Sequence, residues 1–165
     1  MSFPTVSGRY GRLGVQGGRR KAREILFRVL YEVEVSGDDL RDALDFALGR
    51  YHLTEDARDH AVDLAAYLEQ HQAEIDRGLG PRLAHWELGR LSMIVRAILR
   101  LAWAELAATP EVPVEVILDE AIRLAQRYAE PGAPGFVNGV LDPIAAELRP
   151  GEGRARRDGR EESES

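Results

Sequence analysis

The segment that opens the first predicted helix carries a basic cluster, Arg19-Arg20-Lys21-Ala22-Arg23. Guanidinium groups bind phosphate through two parallel hydrogen bonds, and they also stack on nucleobases. A helix N-terminus adds unpaired backbone N–H groups and a partial positive charge. Because Arg20 and Arg23 are three residues apart, we expect them to share one helix face. The cluster predicts a phosphate-binding site, and a solvated helix face is the plain alternative.

Charge is unevenly distributed along the chain. Residues 1–28 contain seven lysines and arginines but a single acid, Glu24, whereas the whole chain of 165 residues has a net charge of −6. Residues 29–165 therefore carry a net charge of −12. A local positive region on an otherwise acidic protein indicates an edge that binds polyanions such as nucleic acid.

Other residue types give no sign of an active site. The absence of cysteine excludes disulfides, thiolate nucleophiles and cysteine-ligated zinc. The four histidines form no pair at i, i+3 or i, i+4, so no helix carries a two-histidine metal site, and each is expected at or near the surface. The acids Asp56, Asp59, Asp63 and Asp119-Glu120 are interpreted as solvated helix faces. We predict a protein that is not an enzyme and holds no metal or cofactor.

Composition also separates a folded region from two tails. Residues 7–18 contain five glycines and few apolar groups, so residues 1–18 are interpreted as a disordered Gly/Arg-rich arm. Residues 149–165 are interpreted as a disordered charged tail, which leaves residues 19–148 as one folded domain. No apolar run resembles a signal peptide or reaches the roughly 20 residues that cross a bilayer. We expect a cytoplasmic protein without a membrane segment.

Helical periodicity runs through almost all of residues 19–148. Apolar residues at i, i+3, i+4 and i+7 predict a helix over 19–35, a short helix that ends at Gly49, and a long helix that begins after Thr54 and ends before Gly78. The other predicted helices lie near 82–88, over 91–108, from Pro113 to about Tyr128, and from Phe136 to Leu148 after a turn at 131–135, with Pro143 as a kink or local boundary. The fold class is all-α with six or seven helices, and two small bundles joined near Gly78–Pro81 fit the spacing.

A second landmark, the string FVNGVLD, occupies residues 136–142. It resembles the signature near the C-terminus of the NusB family of transcription antitermination factors. Three further segments resemble that family and occur in the same order along the chain. The first is Arg19–Glu24 with Leu30-Tyr31, and the second is Arg96–Ala102 with Glu105-Leu106. The third is Val112–Val114 with Asp119–Ile122 and Leu124-Ala125. Part of the signature also has a structural explanation, since Val137, Val140 and Leu141 are expected in the core and Gly139 suits close helix packing.

The resemblance implies two small helical bundles, no catalysis, and binding of the boxA element of ribosomal RNA leaders. It also implies action in the transcription elongation complex together with the small-subunit ribosomal protein NusE. The residues that match RNA-binding positions are Arg19, Arg20 and Arg23 on the first helix, and Phe136 and Asn138 in the last signature. Tyr31 matches a contact to the partner protein. Family members occur as monomers and as homodimers, so both states stay open.

Two positions depart from the family pattern. Many members have a lysine where this chain has Gly135, which removes one phosphate contact that the Gly/Arg arm is hypothesised to replace. Many also have an acid that faces the partner protein where this chain has Val95. Two other functions stay open. One is a helical protein-interaction module without specific RNA binding, and the other is an accessory domain of an RNA-modifying enzyme, which lacks support because no Gly-rich cofactor-binding segment follows.

Overall fold

The computed structural model describes residues 17–83 and 91–152, and the chain in these ranges is all-α, as predicted. The helices are α1 Arg19–Ser36, α2 Leu40–Leu48, α3 Glu55–Leu79, α4 Met93–Ala108, α5 Val114–Tyr128 and α6 Ala133–Leu148, with a 3₁₀ turn at Gly80–Arg82. These ranges contain no strand, only an isolated bridge between Gly17 and Leu53. Outside the described residues lie 1–16 of the arm predicted over 1–18, most of the helix predicted near 82–88, and 153–165 of the tail predicted over 149–165.

Local sequence determines most of the helix ends. The Thr54 and Ser92 hydroxyls each accept a hydrogen bond of 3.1 Å, from the backbone N–H groups of Ala57 and Val95, at the N-termini of α3 and α4. Gly37 follows α1 with φ of 78°, a left-handed conformation that glycine adopts without a Cβ clash. These caps confirm the predicted start of the long helix and the predicted end of the first one.

Two boundaries differ from the sequence prediction. Gly78 does not end α3, which continues to Leu79, and α6 begins at Ala133 inside the segment expected to be a turn. Pro134 lies in the first turn of α6, where its missing N–H removes no helical hydrogen bond. Pro143 lies inside α6 without ending the helix.

The six helices form two sets of three around one continuous core. α1, α2 and α3 pack on one another, α4, α5 and α6 do the same, and α3 and α1 contact α4 across the junction. The division follows α3, where the sequence predicted the join. α1 is buried along much of its length, because every residue from 22 to 27 is buried, including two charged ones.

Arg149 connects the end of α6 to the end of α4. Its buried guanidinium donates hydrogen bonds to the backbone carbonyls of Glu105, Leu106, Thr109 and Val112. The carbonyls of the last turn of a helix lack partners further along it, and this guanidinium donates to Leu106 there and to Thr109 and Val112 in the segment that follows α4. The assignment of Arg149 to a charged tail was therefore wrong, and the residue belongs to the fold.

None of the helices in residues 17–83 and 91–152 is both long enough and apolar enough to cross a membrane.

Gly78 lies against the ring of Trp103, where an added Cβ would meet a ring atom at 2.1 Å. Gly78→Ala is expected to lower the free energy of unfolding by about 1–3 kcal/mol, because the ring or the helix must shift. Gly139 is the matched control, since an added Cβ there meets no atom of residues 17–83 or 91–152 within 4 Å. Gly139→Ala is expected to raise stability by up to about 1 kcal/mol through helix propensity. Urea denaturation measures both changes, and equal effects would contradict the packing at Gly78.

Candidate nucleic-acid interface

Arg19 opens α1 and is paired on the outside of the fold. Its guanidinium donates two hydrogen bonds to Asp56 of α3, at 2.9 and 3.0 Å, and lies 3.5 Å from Glu111. The hydrogen bond between Arg19 and Asp56 is the main reason that the pKa of Asp56 is lowered and that of Arg19 is raised. Because solvent screens exposed charges, this pair orients the Arg19 side chain more than it stabilises the fold.

Arg20 is the most exposed of the three predicted arginines. Its Nε and Nη2 atoms lie 2.9 and 2.8 Å from Oε1 of Glu120 on α5. The Arg20 side chain is nevertheless 64% exposed, whereas the Glu120 beneath it is nearly buried. A ligand can therefore reach the guanidinium of Arg20 while the acid holds it in place.

Arg23 occupies a different environment from the one that we expected. Its side chain is only 6% exposed, and its Nη2 and Nε atoms donate to the carboxylate of Glu105, the former at 2.9 Å. Its Nη1 lies 3.8 Å from Glu120. Arg23 faces the interior because it precedes Leu26 by three residues and Phe27 by four, and both are fully buried. The sequence predicts a direct phosphate contact for Arg23, whereas in this structure its guanidinium is covered by the fold and bound to Glu105.

His60 is the third side chain of the buried group around Glu105. Its Nε2 lies 3.4 Å from Oε2 of Glu105, and both side chains are buried. Burial raises the pKa of Glu105, but hydrogen bonds from His60 and Arg23 and the charge of Arg23 together hold it below its ordinary value. The expectation that every histidine lies at or near the surface was wrong for His60, because it shares the inner face of α3 with Ala57 and Ala61.

Phe136 lies apart from these arginines. It is half-buried and lines a surface cavity of about 210 Å³ together with Val95, Glu130 and Ala133. Glu130 places a negative charge at this cavity, which disfavours a phosphate there. A nucleobase or an apolar side chain carries no negative charge and is not disfavoured in this way.

The beginning of α6 presents a bare surface beside Phe136. Among the described residues, an added Cβ at Gly135 or at Gly139 would meet no atom within 4 Å, and these two glycines are one helical turn apart. Close helix packing is therefore not the reason for Gly139. Asn138 is half-exposed on the same helix.

Tyr31 lies in the opposite half of α1 from Arg19, about 18 Å away at 1.5 Å per residue. It is half-buried and packs against the core. One turn later, the Glu34 carboxylate lies 2.6 Å from Arg96 and 3.5 Å from Arg100, which joins this half of α1 to α4. The residue predicted to contact a partner protein thus lies at the other end of α1 from the predicted RNA site.

The structure brings Arg19, Arg20 and Arg23 together at one end of α1, whereas the cavity that Phe136 lines includes none of these arginines. The acids that hold these arginines were not predicted from the sequence. Glu120 was interpreted as solvated, yet it is buried.

A sequence signal for Glu120 was available. It follows the buried Ile117 by three residues and precedes the buried Leu124 by four, which places it on the edge of the apolar stripe. Periodicity alone gives no partner for such an acid. Across the part of the chain that the structure describes, no group of three histidines and acids is placed to hold a metal ion.

Removal of the buried guanidinium tests the ionic group. Arg23→Ala is expected to lower the free energy of unfolding by about 3–5 kcal/mol, because Glu105 is left buried without its main partner. Arg41→Ala, at an exposed position of α2, should change the free energy of unfolding by no more than about 0.5 kcal/mol.

The same group makes stability depend on pH. In the wild type, the contribution of Glu105 to the free energy of unfolding is lost as the pH falls below its ordinary pKa of 4.5, because the folded state holds that pKa lower. Urea denaturation from pH 7 to pH 3 measures both effects, and a loss below about 1 kcal/mol for Arg23→Ala would contradict the buried pair.

Known proteins resemble this chain over most of its length. The NusB family profile matches residues 20–146. The transcription antitermination protein NusB of Koribacter versatilis is 35% identical over 134 residues, which cover 80% of this chain and 91% of that protein.

Solved structures agree with the sequence comparison. NusB of T. maritima matches with a TM-score of 0.79 and 34% identity, covering 86% of this chain and 99% of that chain. A crystal structure of antitermination factors NusB and NusE in complex with dsRNA matches with a TM-score of 0.71 and 28% identity, covering 78% of this chain and 96% of that one. Since the family profile matches all but three residues of the region from the start of α1 to the end of α6, the chain belongs to the NusB family.

Proposed function

We propose that this chain is a transcription antitermination factor that binds boxA-type RNA of ribosomal RNA leaders together with NusE. The observation that carries the proposal is an exposed arginine, Arg20, in the first turn of α1 of a NusB-family chain. The solved complex of NusB, NusE and dsRNA supports it by similarity. We propose further that the chain is not an enzyme and that it acts in the cytoplasm, within the transcription elongation complex.

In this proposal, Arg19 and Arg20 bind RNA phosphates at the N-terminus of α1, and a base packs on Phe136. Guanidinium forks suit phosphates, and an aromatic ring suits the face of an unpaired base. Asn138 is half-exposed next to Phe136 in the signature, and its amide offers both a donor and an acceptor to a base or a sugar.

Arg23 serves the RNA site from beneath rather than by contact. It lies between Glu105 and Glu120, and Glu120 is also the partner of Arg20. The buried guanidinium therefore positions the acid that positions the exposed one. This role replaces the direct phosphate contact that the sequence suggested.

We place NusE on the other half of α1, at Tyr31. Val95 of α4 stands where many members have an acid that faces the partner protein, so at that position the partner meets an apolar side chain instead of a charge.

A salt titration of RNA binding tests the proposal. Each neutralised phosphate adds about 0.7 to the slope of log affinity against log salt for a single strand, so Arg20→Ala should weaken binding and flatten the slope by about 0.7. Phe136→Ala should weaken binding by about 1–3 kcal/mol and leave the slope unchanged, because stacking releases no counterions. Arg41→Ala removes the same charge from α2 and should change neither quantity. Fluorescence anisotropy with a labelled boxA-type single strand measures all three variants.

The choice of RNA and partner provides the controls. Binding should be tighter to the boxA-type strand than to a scrambled strand, and NusE should tighten it further. Equal, weak binding to both strands without an effect of NusE would contradict the proposal. A partner protein captured equally well after ribonuclease treatment would favour the interaction-module alternative instead.

A further inference from the structure

Exposed arginines form a line where α1 and α5 meet. We call this contact the α1–α5 seam, and its members are Arg20, Glu24, Glu120, Arg123 and Arg127. Arg20 and Arg123 flank the same carboxylate, with nitrogens 2.8 and 3.8 Å from Glu120. Arg127 lies 2.9 Å from Glu24. The side chains of Arg123 and Arg127 are 42% and 44% exposed, whereas both acids are buried.

The pairs repeat along the seam with the pitch of a helix. Arg123 and Arg127 are one turn apart on α5, as Arg20 and Glu24 are on α1, so successive pairs are spaced by roughly 5–6 Å. Each buried acid lies beneath a guanidinium and fixes its position. Because three arginines lie over two acids, the outer surface of the seam keeps a positive charge.

The seam also bridges the gap between the two halves of the proposed RNA site. Arg20 lies beside Glu120, and α5 runs from there to Tyr128, about 12 Å at 1.5 Å per residue. Just beyond that end, Glu130 lines the cavity that holds Phe136. The exposed groups between Arg20 and Phe136 therefore include two arginines that neither the sequence signatures nor the proposed function uses.

We propose that Arg123 and Arg127 bind successive phosphates of single-stranded RNA that runs from Arg20 along α5 to Phe136. The inference rests on the proposed function and extends it by two phosphate contacts. A regularly spaced row of guanidiniums matches a polymer with one charge per unit, which favours an RNA backbone over an isolated anion. The negative charge of Glu130 ends the row at the cavity, where the RNA presents a base to Phe136.

The test compares two double variants that remove the same charge. Arg123→Gln with Arg127→Gln should weaken binding of boxA-type single-stranded RNA at least about tenfold near 0.1 M salt and flatten the salt slope by about 1.4. The control double variant, Arg41→Gln with Arg77→Gln, removes two exposed arginines from α2 and α3 and should change neither the affinity nor the salt slope. Arg123→Lys with Arg127→Lys keeps the charge and should keep the wild-type slope. Circular dichroism and thermal melting establish that each variant is folded.

Each outcome separates this inference from the proposed function. If the wild type fails to distinguish the boxA-type strand from a scrambled one, the proposed function fails, and this inference fails with it. If Arg20→Ala weakens binding but the Arg123/Arg127 glutamine variant behaves as the wild type, only this inference is overturned. The inference would also be overturned if the two glutamine double variants lost affinity for RNA equally, or if the wild type bound polyglutamate as tightly as RNA. Either result would mean that the arginines act through charge in general.

Discussion

The arrangement of the helices depends on one buried ionic interaction, between Arg23 of α1 and Glu105 of α4. Charges taken out of water are costly unless they are paired and hydrogen-bonded, and here His60 of α3 adds the third group. The three side chains fix the rotation of α1 against both neighbours. At the far end of α1, Glu34 and Arg96 form a second, half-buried ion pair with α4. With α1 held at both ends, the outward direction of its remaining side chains is determined.

This arrangement gives the proposed RNA site an unusual electrostatic character. Its exposed arginines are already paired with acids of the same chain, as Arg20 is with Glu120 and Arg127 is with Glu24. An incoming phosphate therefore shares or replaces a carboxylate instead of meeting a free cation. General affinity for polyanions is reduced by this competition, and a ligand gains most when its phosphates match the fixed spacing of the guanidiniums. The net negative charge of the chain also lowers its general affinity for polyanions.

Most of the fold could be predicted from sequence because helix extent depends on local rules. The cap at Thr54 and the left-handed Gly37 are each determined by a few neighbouring residues. Gly78 was misjudged as a helix end because the reason for it, the ring of Trp103, lies 25 positions away. Helix phase likewise placed Arg23 on one outward face with Arg20, three residues away. The buried acid that receives its guanidinium, Glu105, belongs to another helix, and no local rule reveals it.

The most direct measurement is an NMR titration that follows the arginine Nε–H signals as boxA-type single-stranded RNA is added. The account predicts that the signals of Arg20, Arg123 and Arg127 shift as phosphates bind. It predicts that the signal of Arg23 stays in place, because its Nε–H remains on Glu105. A shift of Arg23 together with unchanged signals from Arg123 and Arg127 would contradict the account, since it would mean that the buried ionic group opens to the RNA and that the seam does not bind it.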